Sequence, residues 1–424
     1  MSNKNILLYL FVLFVRTGCK IQIEVLWGGS VTTESGNHGC DSGDVCVIDI
    51  VDLFFNESFI AQPDPGYTFL QWKKRPGGLC GGKTGQCPIN SGLAELHELF
   101  MAILESDHTF FLEPDFGRSD TWNRKADLPL DASAMATCAI GGKLYAMGLG
   151  AGHTLEGELP SPETGVEEYD PVTDTWTQMA NMPTGRRWGS ASAVEGKCYV
   201  IGGLGASPST GTTVEEYDPA TDTWRERSPL PTPRSAHASA AVNGKVYVIG
   251  GGATGTWRHV GTAKVDIYDP ATNLWSVGAD IPTPRGGVVA GAIDGYIYVV
   301  GGSNRNFAYS DLVDRYHPAT NTWKSMAKLP VKVDFATATV HDGKLYVIGG
   351  LDENNDEFVS AFDEATPDVY RYDPKANQWT RLSDMTQRRM AAGSEMVNRR
   401  ILVIGGREQR DCCGSLNSVE EYTP

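Results

Sequence analysis

Residues 417–424, NSVEEYTP, end the chain on the first half of a phrase that occurs in full twice upstream. The complete copies are TGVEEYDPVTDTWTQMANMP (164–183) and TTVEEYDPATDTWRERSPLP (212–231). The last copy stops before its tryptophan. Tryptophans 122, 176, 224, 275, 323 and 379 are spaced by 54, 48, 51, 48 and 56 residues. Variants of the phrase precede the last five: EEYDPVTDTW, EEYDPATDTW, DIYDPATNLW, DRYHPATNTW and YRYDPKANQW. Upstream of each lies an apolar run ending in glycine (KLYAMGLG, KCYVIGG, KVYVIGG, YIYVVGG, KLYVIGG), and a sixth, RILVIGG, precedes the truncated copy. Two-residue turns stand before most of these runs: Glu195-Gly196, Asn243-Gly244, Asp294-Gly295 and Asp342-Gly343. Such pairs make tight hairpins because glycine takes positive φ without steric cost. Asn398-Arg399 in the last copy predicts the least regular hairpin.

Each unit therefore reads as four short strands. The first alternates Ala, Ser and Val, the second is the tyrosine-rich run, the third carries the VEEY phrase and the fourth begins at the tryptophan. The Asp-Pro-x-Thr-Asp segment turns the third into the fourth, its proline presetting φ. Four-stranded units of this length and marking resemble kelch repeats, which build β-propellers. The resemblance covers about residues 115–424. It implies an all-β fold: a six-bladed kelch propeller over 116–424. The final copy supplies three strands, and residues 116–130, beginning FGRSDTWNRKADLP, supply a fourth strand with no first three in front of it. The ring is thus expected to close with an N-terminal fourth strand, which pairs edges that would otherwise stay exposed. The six tryptophans are expected to lie between blades as structural groups.

The chain has 424 residues, 41% hydrophobic and 21% charged, with 48 glycines. A formal charge of −16 argues against nucleic-acid binding, which needs a basic surface. Residues 1–19, MSNKNILLYLFVLFVRTGC, pair Lys4 with an apolar run from Ile6 to Val15, too short to span a bilayer but suited to a secretory leader. Thr17-Gly18-Cys19 resembles a bacterial lipoprotein signal, in which Cys19 would carry the lipid, although Arg16 stands where an aliphatic residue is usual. An ordinary leader cut nearby is the alternative. Either implies export, to a bacterial surface, the periplasm or the medium, with membrane contact only through the lipid.

Residues 20–115 lack kelch marks and form a separate small β domain. GYTFLQWKKRPGGLCGGKTGQCPIN, HGCDSGDVCVI and HTFFLEPDF resemble the small cysteine-containing repeat domains of bacterial surface and secreted proteins, although Gln71 replaces the usual glycine. The resemblance implies local disulfides Cys40–Cys46 and Cys80–Cys87, permitted by export. Residues 93–104 have helical apolar spacing.

Ten residues beyond the tryptophans stand Ala132, Arg186, Arg234, Arg285, Val333 and Arg389. Arg187 and Arg388 are neighbours. The kelch resemblance places these in loops opening at one mouth of the channel, so a partial ring of guanidinium groups is expected there. Arginine suits bidentate recognition of carboxylate, sulfate or phosphate; it serves structure equally well by donating to loop carbonyls. Trp188, Trp257, His259, Phe307 and Tyr309 are candidate stacking groups, and Arg305 and Arg407 lie in second-to-third-strand loops. Cys412-Cys413 is a candidate vicinal disulfide. Cys138 and Cys198 are expected as buried thiols. The acidic loop 351–368 matches no standard calcium loop, and no pair of histidines has metal-ligand spacing on one element. No cofactor is implied, and the Tyr–Cys and histidine set of a galactose-oxidase-like copper enzyme is not found in the sequence. The expected function is binding of an anionic or carbohydrate ligand, or of a protein partner, at the arginine mouth. The alternatives are a sialic-acid mutarotase, with Arg234, Arg285, His237 and Glu395 as its candidate groups, and a purely structural surface protein.

Overall fold

In the computed structural model, residues 19–424 are described except 26–28, 51–55, 65, 75–79, 81, 82, 84, 91–108, 119, 151–162, 253–260, 305, 307, 353–364 and 410–413. The leader, the 93–104 segment, Trp257, His259, Arg305, Phe307, Cys412 and Cys413 lie outside the described residues. The chain divides into two units, Met1–Ser119 and Asp120–Pro424.

The first unit holds three small sheets. Cys19–Glu24 pairs with Val45–Ile50 and Thr109–Leu112; Gly29–Thr33 and Asn56–Pro63 pair with each other and with Gly39–Cys40 and Cys87–Asn90 at the edges; Tyr67–Trp72 pairs with Pro114–Arg118. Alternation along these strands buries Ile21, Ile23, Val31, Phe59, Trp72 and Leu112. The Trp72 indole N–H donates to the Gly85 carbonyl at 2.8 Å. Disulfides Cys40–Cys46 and Cys80–Cys87 are both formed. Cys19 opens its strand opposite Ile50.

The described residues of the second unit form six antiparallel four-stranded sheets, the blades, and one short pair, Val333–Asp334 with Leu351–Asp352. Blade 1 is Ala136–Ile140, Lys143–Leu149, Gly165–Asp170 and Thr175–Gln178; blade 5 is Thr337–His341, Lys344–Ile348, Val369–Asp373 and Gln378–Arg381; blades 2 to 4 follow the same plan between them. Blade 6 is Gly393–Val397, Arg400–Ile404 and Val419–Thr423, completed by Thr121–Lys125. The half-phrase at the C-terminus therefore finds its other half upstream: Trp122 lies opposite Tyr422 and Thr121 opposite Thr423, as Trp176 lies opposite Tyr169 within blade 1.

The repeated phrase has a repeated bonding scheme. The third-strand tyrosines Tyr169, Tyr217, Tyr268, Tyr316, Tyr372 and Tyr422 are fully buried. Each donates its hydroxyl to the Asp or Asn two residues before a tryptophan: Asp174, Asp222, Asn273, Asn321, Asn377 and, across the closure, Asp120 at 2.8 Å. The same Oδ1 accepts a backbone N–H of the preceding blade, from Ala126, Ala180, Ser228, Ala279, Ala327 and Ser383. All six Asp/Asn residues have φ between 51° and 57°, a left-handed conformation that these two residue types tolerate best after glycine. Asp and Asn interchange because both offer that oxygen.

The tryptophans differ from expectation in degree. They are half-buried rather than buried, each tilted against its blade's tyrosine at 4.8–5.0 Å between centroids. Their second task is polar. Each indole N–H donates to a carbonyl of the preceding blade, from Trp176 to Ala126 at 2.9 Å through to Trp122 to Ser383 at 2.9 Å.

The Asn398-Arg399 hairpin is regular, contrary to expectation. Its φ values of 49° and 64° match the Asn243-Gly244 type of turn, and Val397 pairs with Arg400 as in its neighbours. The Arg399 guanidinium reaches Asp342 of blade 5 at 3.3 Å. Cys138 and Cys198 are joined in a disulfide rather than left as thiols, linking the first strand of blade 1 to the second strand of blade 2. Three disulfides mark a non-reducing setting.

Candidate functional site

The four arginines expected to line a mouth are inside the blades. Arg186, Arg234, Arg285 and Arg389 are 1–2% exposed. Each donates through Nη2 to a carboxylate on the third strand of the blade it leads into: Glu215, Asp266, Asp314 at 2.6 Å and Glu420 at 3.0 Å. Each Nη1 reaches two carbonyls as well, as Arg285 does to Gly301 at 3.2 Å and Leu312 at 3.0 Å. Burial pushes these guanidinium pKa values down, and the facing carboxylates oppose the shift. These groups hold the loop after one blade onto the turn of the next. They are not available to an anion, which corrects the expectation of a guanidinium ring.

One of the two gaps in the arginine series follows the same scheme and the other departs from it. Val333 leads into blade 5, whose third strand carries Tyr370 in place of the acid, so both partners are replaced. Ala132 leads into blade 1, where Glu167 keeps the acid position. Glu167 is buried, and burial raises its pKa. An acid one residue after the third-strand valine accompanies each of the four buried arginines.

Just beyond these arginines the chain forms a collar. Ala134, Trp188, Ala236, Gly287, Phe335 and Ala391 all have φ between 50° and 67°. Their backbones are strung together: Gly287 donates to Ala236, Ala236 to Trp188, Trp188 to Ala134, Ala134 to Ala391 and Ala391 to Phe335, all at 2.8–2.9 Å. At the remaining step the Phe335 N–H turns to its neighbour Asp334 Oδ1 at 3.0 Å. Trp188 and Phe335, from opposite blades, meet with centroids 4.7 Å apart. The Trp188 ring is thus packed against a ring of the protein itself.

Arg187 and Arg407, also candidates, form a separate rim patch. Arg187 lies 4.0 Å from the Glu163 carboxylate, and Arg407 Nε donates to Ser133 Oγ at 2.8 Å. Burial raises the Glu163 pKa while Arg187 and Arg407 oppose it. Ser133 also bonds Ser415 at 2.9 Å. Residues of the linkers into blades 1 and 2, and of blade 6, converge there. Tyr309 is buried in the collar's apolar cluster.

Inside the collar runs a channel of about 320 Å³ walled by the six first strands. Small residues on these strands leave the space. Ser192 bonds Ser239 at 2.9 Å, and Thr337 bonds Ser394 at 2.6 Å. Glu395 faces the channel and accepts from Thr137 Oγ1 at 3.0 Å. Deep placement pushes its carboxyl up to about 7, which the Thr137 bond opposes. His237 lines the wall at the collar end. Burial first, then Arg234, pushes its imidazole down to about 3, so it is neutral. The sequence reading grouped His237 and Glu395 with Arg234 and Arg285; the fold places the first two at the channel and the last two in the blades. Among the described residues no group of three His, Cys, Asp or Glu converges as a metal site.

Comparison with known proteins agrees with this architecture. A family model described as the Attractin/LZTR1 beta-propeller matches residues 216–419, and the Kelch motif model matches 132–183 and 189–231. Kelch-like protein 25 of Xenopus tropicalis is 30% identical over 306 residues, covering 70% of this chain and 40% of that protein. Kelch repeat and BTB domain-containing protein 12 of Homo sapiens is 32% identical over 193 residues, covering 43% of this chain and 23% of that protein. The matches thus span less than half the length of these relatives. The solved structure of YjhT has a TM-score of 0.57 at 20% identity, covering 69% of this chain and 95% of that one, a likeness of fold. With six four-stranded blades, one bonding scheme repeated in each, and these matches, the chain belongs to the kelch-repeat β-propeller family.

Proposed function

We propose that this is an exported, non-catalytic binding protein that engages a protein partner through the rim around Arg187, Glu163 and Arg407. The observation that carries this is the fate of the arginines. All four arginines of the expected ring are spent inside the blades, and the collar's Trp188 and Phe335 pack on each other across the axis. Among the described residues, the loop face then offers a charged rim built from three adjacent blades rather than an anion cup. Mixed charge over a rigid scaffold suits a protein surface. The kelch-like relatives support a binding role at the level of the fold. The leader and the three disulfides support export; the bacterial setting and the lipid on Cys19 rest on the leader and the N-terminal motifs alone.

A glycan or anionic ligand is the second reading, and it would use Arg187 and Arg407. The mutarotase reading is disfavoured, because Arg234 and Arg285, its anion-holding groups, are buried and paired. The test is affinity capture from extracellular material of the source organism with residues 20–424, beside an Arg187→Glu/Arg407→Glu variant. Retention of a protein that the variant loses supports the proposal. Selective glycan-array binding lost in the same variant moves the ligand class to sugars. Equal behaviour of both proteins in both assays removes the rim from consideration.

A further inference from the structure

Among the described residues, the channel wall holds one carboxylate and no lysine or arginine. Its wall is alanine, glycine, serine, threonine and valine with Met135 at one end, and Glu395 and His237 are its titratable groups; Cys138 is held in a disulfide. Glu395 sits in the first strand of blade 6, opposite Leu402 of its own blade. From blade 1, Thr137 reaches it at 3.0 Å. On the blade 5 side, Thr337 and the adjacent Ser394 share a hydrogen bond of 2.6 Å. The Thr137 hydroxyl therefore flanks the carboxylate, while Ser394, one residue earlier on the same strand, turns to the opposite face of the sheet.

We propose that this channel binds a primary ammonium group, held by the Glu395 carboxylate with the adjoining Thr137 hydroxyl oxygen accepting a second of its N–H groups. An ammonium offers three donors and no acceptor, which suits a wall of acceptor-capable oxygens around one negative charge. A divalent metal fits poorly. Calcium and magnesium take about six or more oxygen ligands, commonly with several carboxylates, and this wall supplies one. A guanidinium fits less well too, because its planar fork prefers both oxygens of a carboxylate, and one is already used by Thr137. A carboxylate so placed is costly without a counter-charge. The upward shift of Glu395 expresses that cost, and neutral His237 does not relieve it. The first strands are five residues long, roughly 17 Å, so the channel admits a linear aliphatic amine. The ammonium has two possible sources: a free diamine or a lysine side chain of a partner.

Equilibrium dialysis of residues 20–424 against 1,4-diaminobutane and against Nα-acetyl-lysine methylamide tests this. Saturable binding at pH 8 is expected for at least one probe. It should weaken tenfold or more at pH 5.5, where the probe stays charged and the carboxyl takes a proton. Glu395→Gln should weaken it at least tenfold, and Thr137→Val severalfold. Binding of the diamine alone identifies a free amine; binding of the lysine derivative identifies a partner's side chain. No saturable binding of either at millimolar concentration overturns the proposal, as does equal affinity at the two pH values. The pH comparison uses the unaltered protein and does not depend on a variant folding. The rim is not involved, so failure here leaves the partner-binding reading intact.

Discussion

At the scale of single residues, the arginines show how one side chain can look like a ligand group and work as a brace. Arg285 is 1% exposed and meets Asp314 at 2.6 Å. Arg285→Ala strands that carboxylate in the interior, where breaking one side of a buried pair costs about 3–5 kcal/mol. Urea unfolding should show that loss, and the Arg285→Ala/Asp314→Ala double variant should recover part of it. Recovery of nothing would mean that the carbonyl contacts carry the effect. The same logic made these residues illegible in advance. The spacing from tryptophan to arginine is visible in the sequence. The acid that neutralises each arginine lies 29–32 residues further on, and only strand pairing brings it back.

At the scale of elements, the closing strand carries the most weight. Thr121–Lys125 covers the open edge of Val419–Thr423, and Asp120 joins two blades at once through Tyr422 and the Ser383 N–H. Removing residues 1–125 should leave that edge unpaired, a template for aggregation. The expected outcome is a product that sediments as aggregate, whereas residues 116–424 remain monomeric. Asp120→Ala is milder. It removes one acceptor and a residue suited to positive φ, and about 2–3 kcal/mol is expected from the buried polar groups left unsatisfied, read from thermal or urea melts. The Cys138–Cys198 link belongs here as well. It closes 60 residues between adjacent blades, and Cys138→Ser/Cys198→Ser should lower stability by about 2–4 kcal/mol.

At the scale of the whole molecule, the channel couples two titrations of opposite sign. The Glu395 carboxyl is raised to about 7 in the folded protein, against an ordinary value of about 4.3. The folded state holds its proton more tightly, so this group's stabilisation is present at low pH and is lost as pH rises from about 4.3 to 7. His237 is lowered to about 3, against about 6.5. Its contribution is present above about 6.5 and is lost as pH falls towards 3. Between about 4.3 and 6.5 the two slopes oppose each other. Relative to the unaltered protein, Glu395→Gln should become progressively more stable as pH rises through that window, and His237→Asn progressively less stable. Parallel stability curves for all three proteins would remove both groups from the pH response.

The sequence by itself determined the number of blades, the order of strands within each and the closure. These follow from local patterns, repeated at near-constant spacing, that each strand expresses on its own. Two of the disulfides, Cys40–Cys46 and Cys80–Cys87, were implied by the resemblance of the N-terminal motifs to cysteine-containing surface repeats. Only the tertiary structure decided which candidate site residues meet a partner inside the protein. Arg186, Arg234, Arg285 and Arg389 turn inward because acids from distant strands await them, and Trp188 is taken by Phe335 from the opposite blade. Cys138 finds Cys198 because adjacent blades stack. Glu395 looked like one acid among many in a chain of charge −16; the ring of first strands places it in a channel whose described wall carries no lysine or arginine. Contacts across blades depend on how six sheets pack around an axis, and no local pattern encodes that distance.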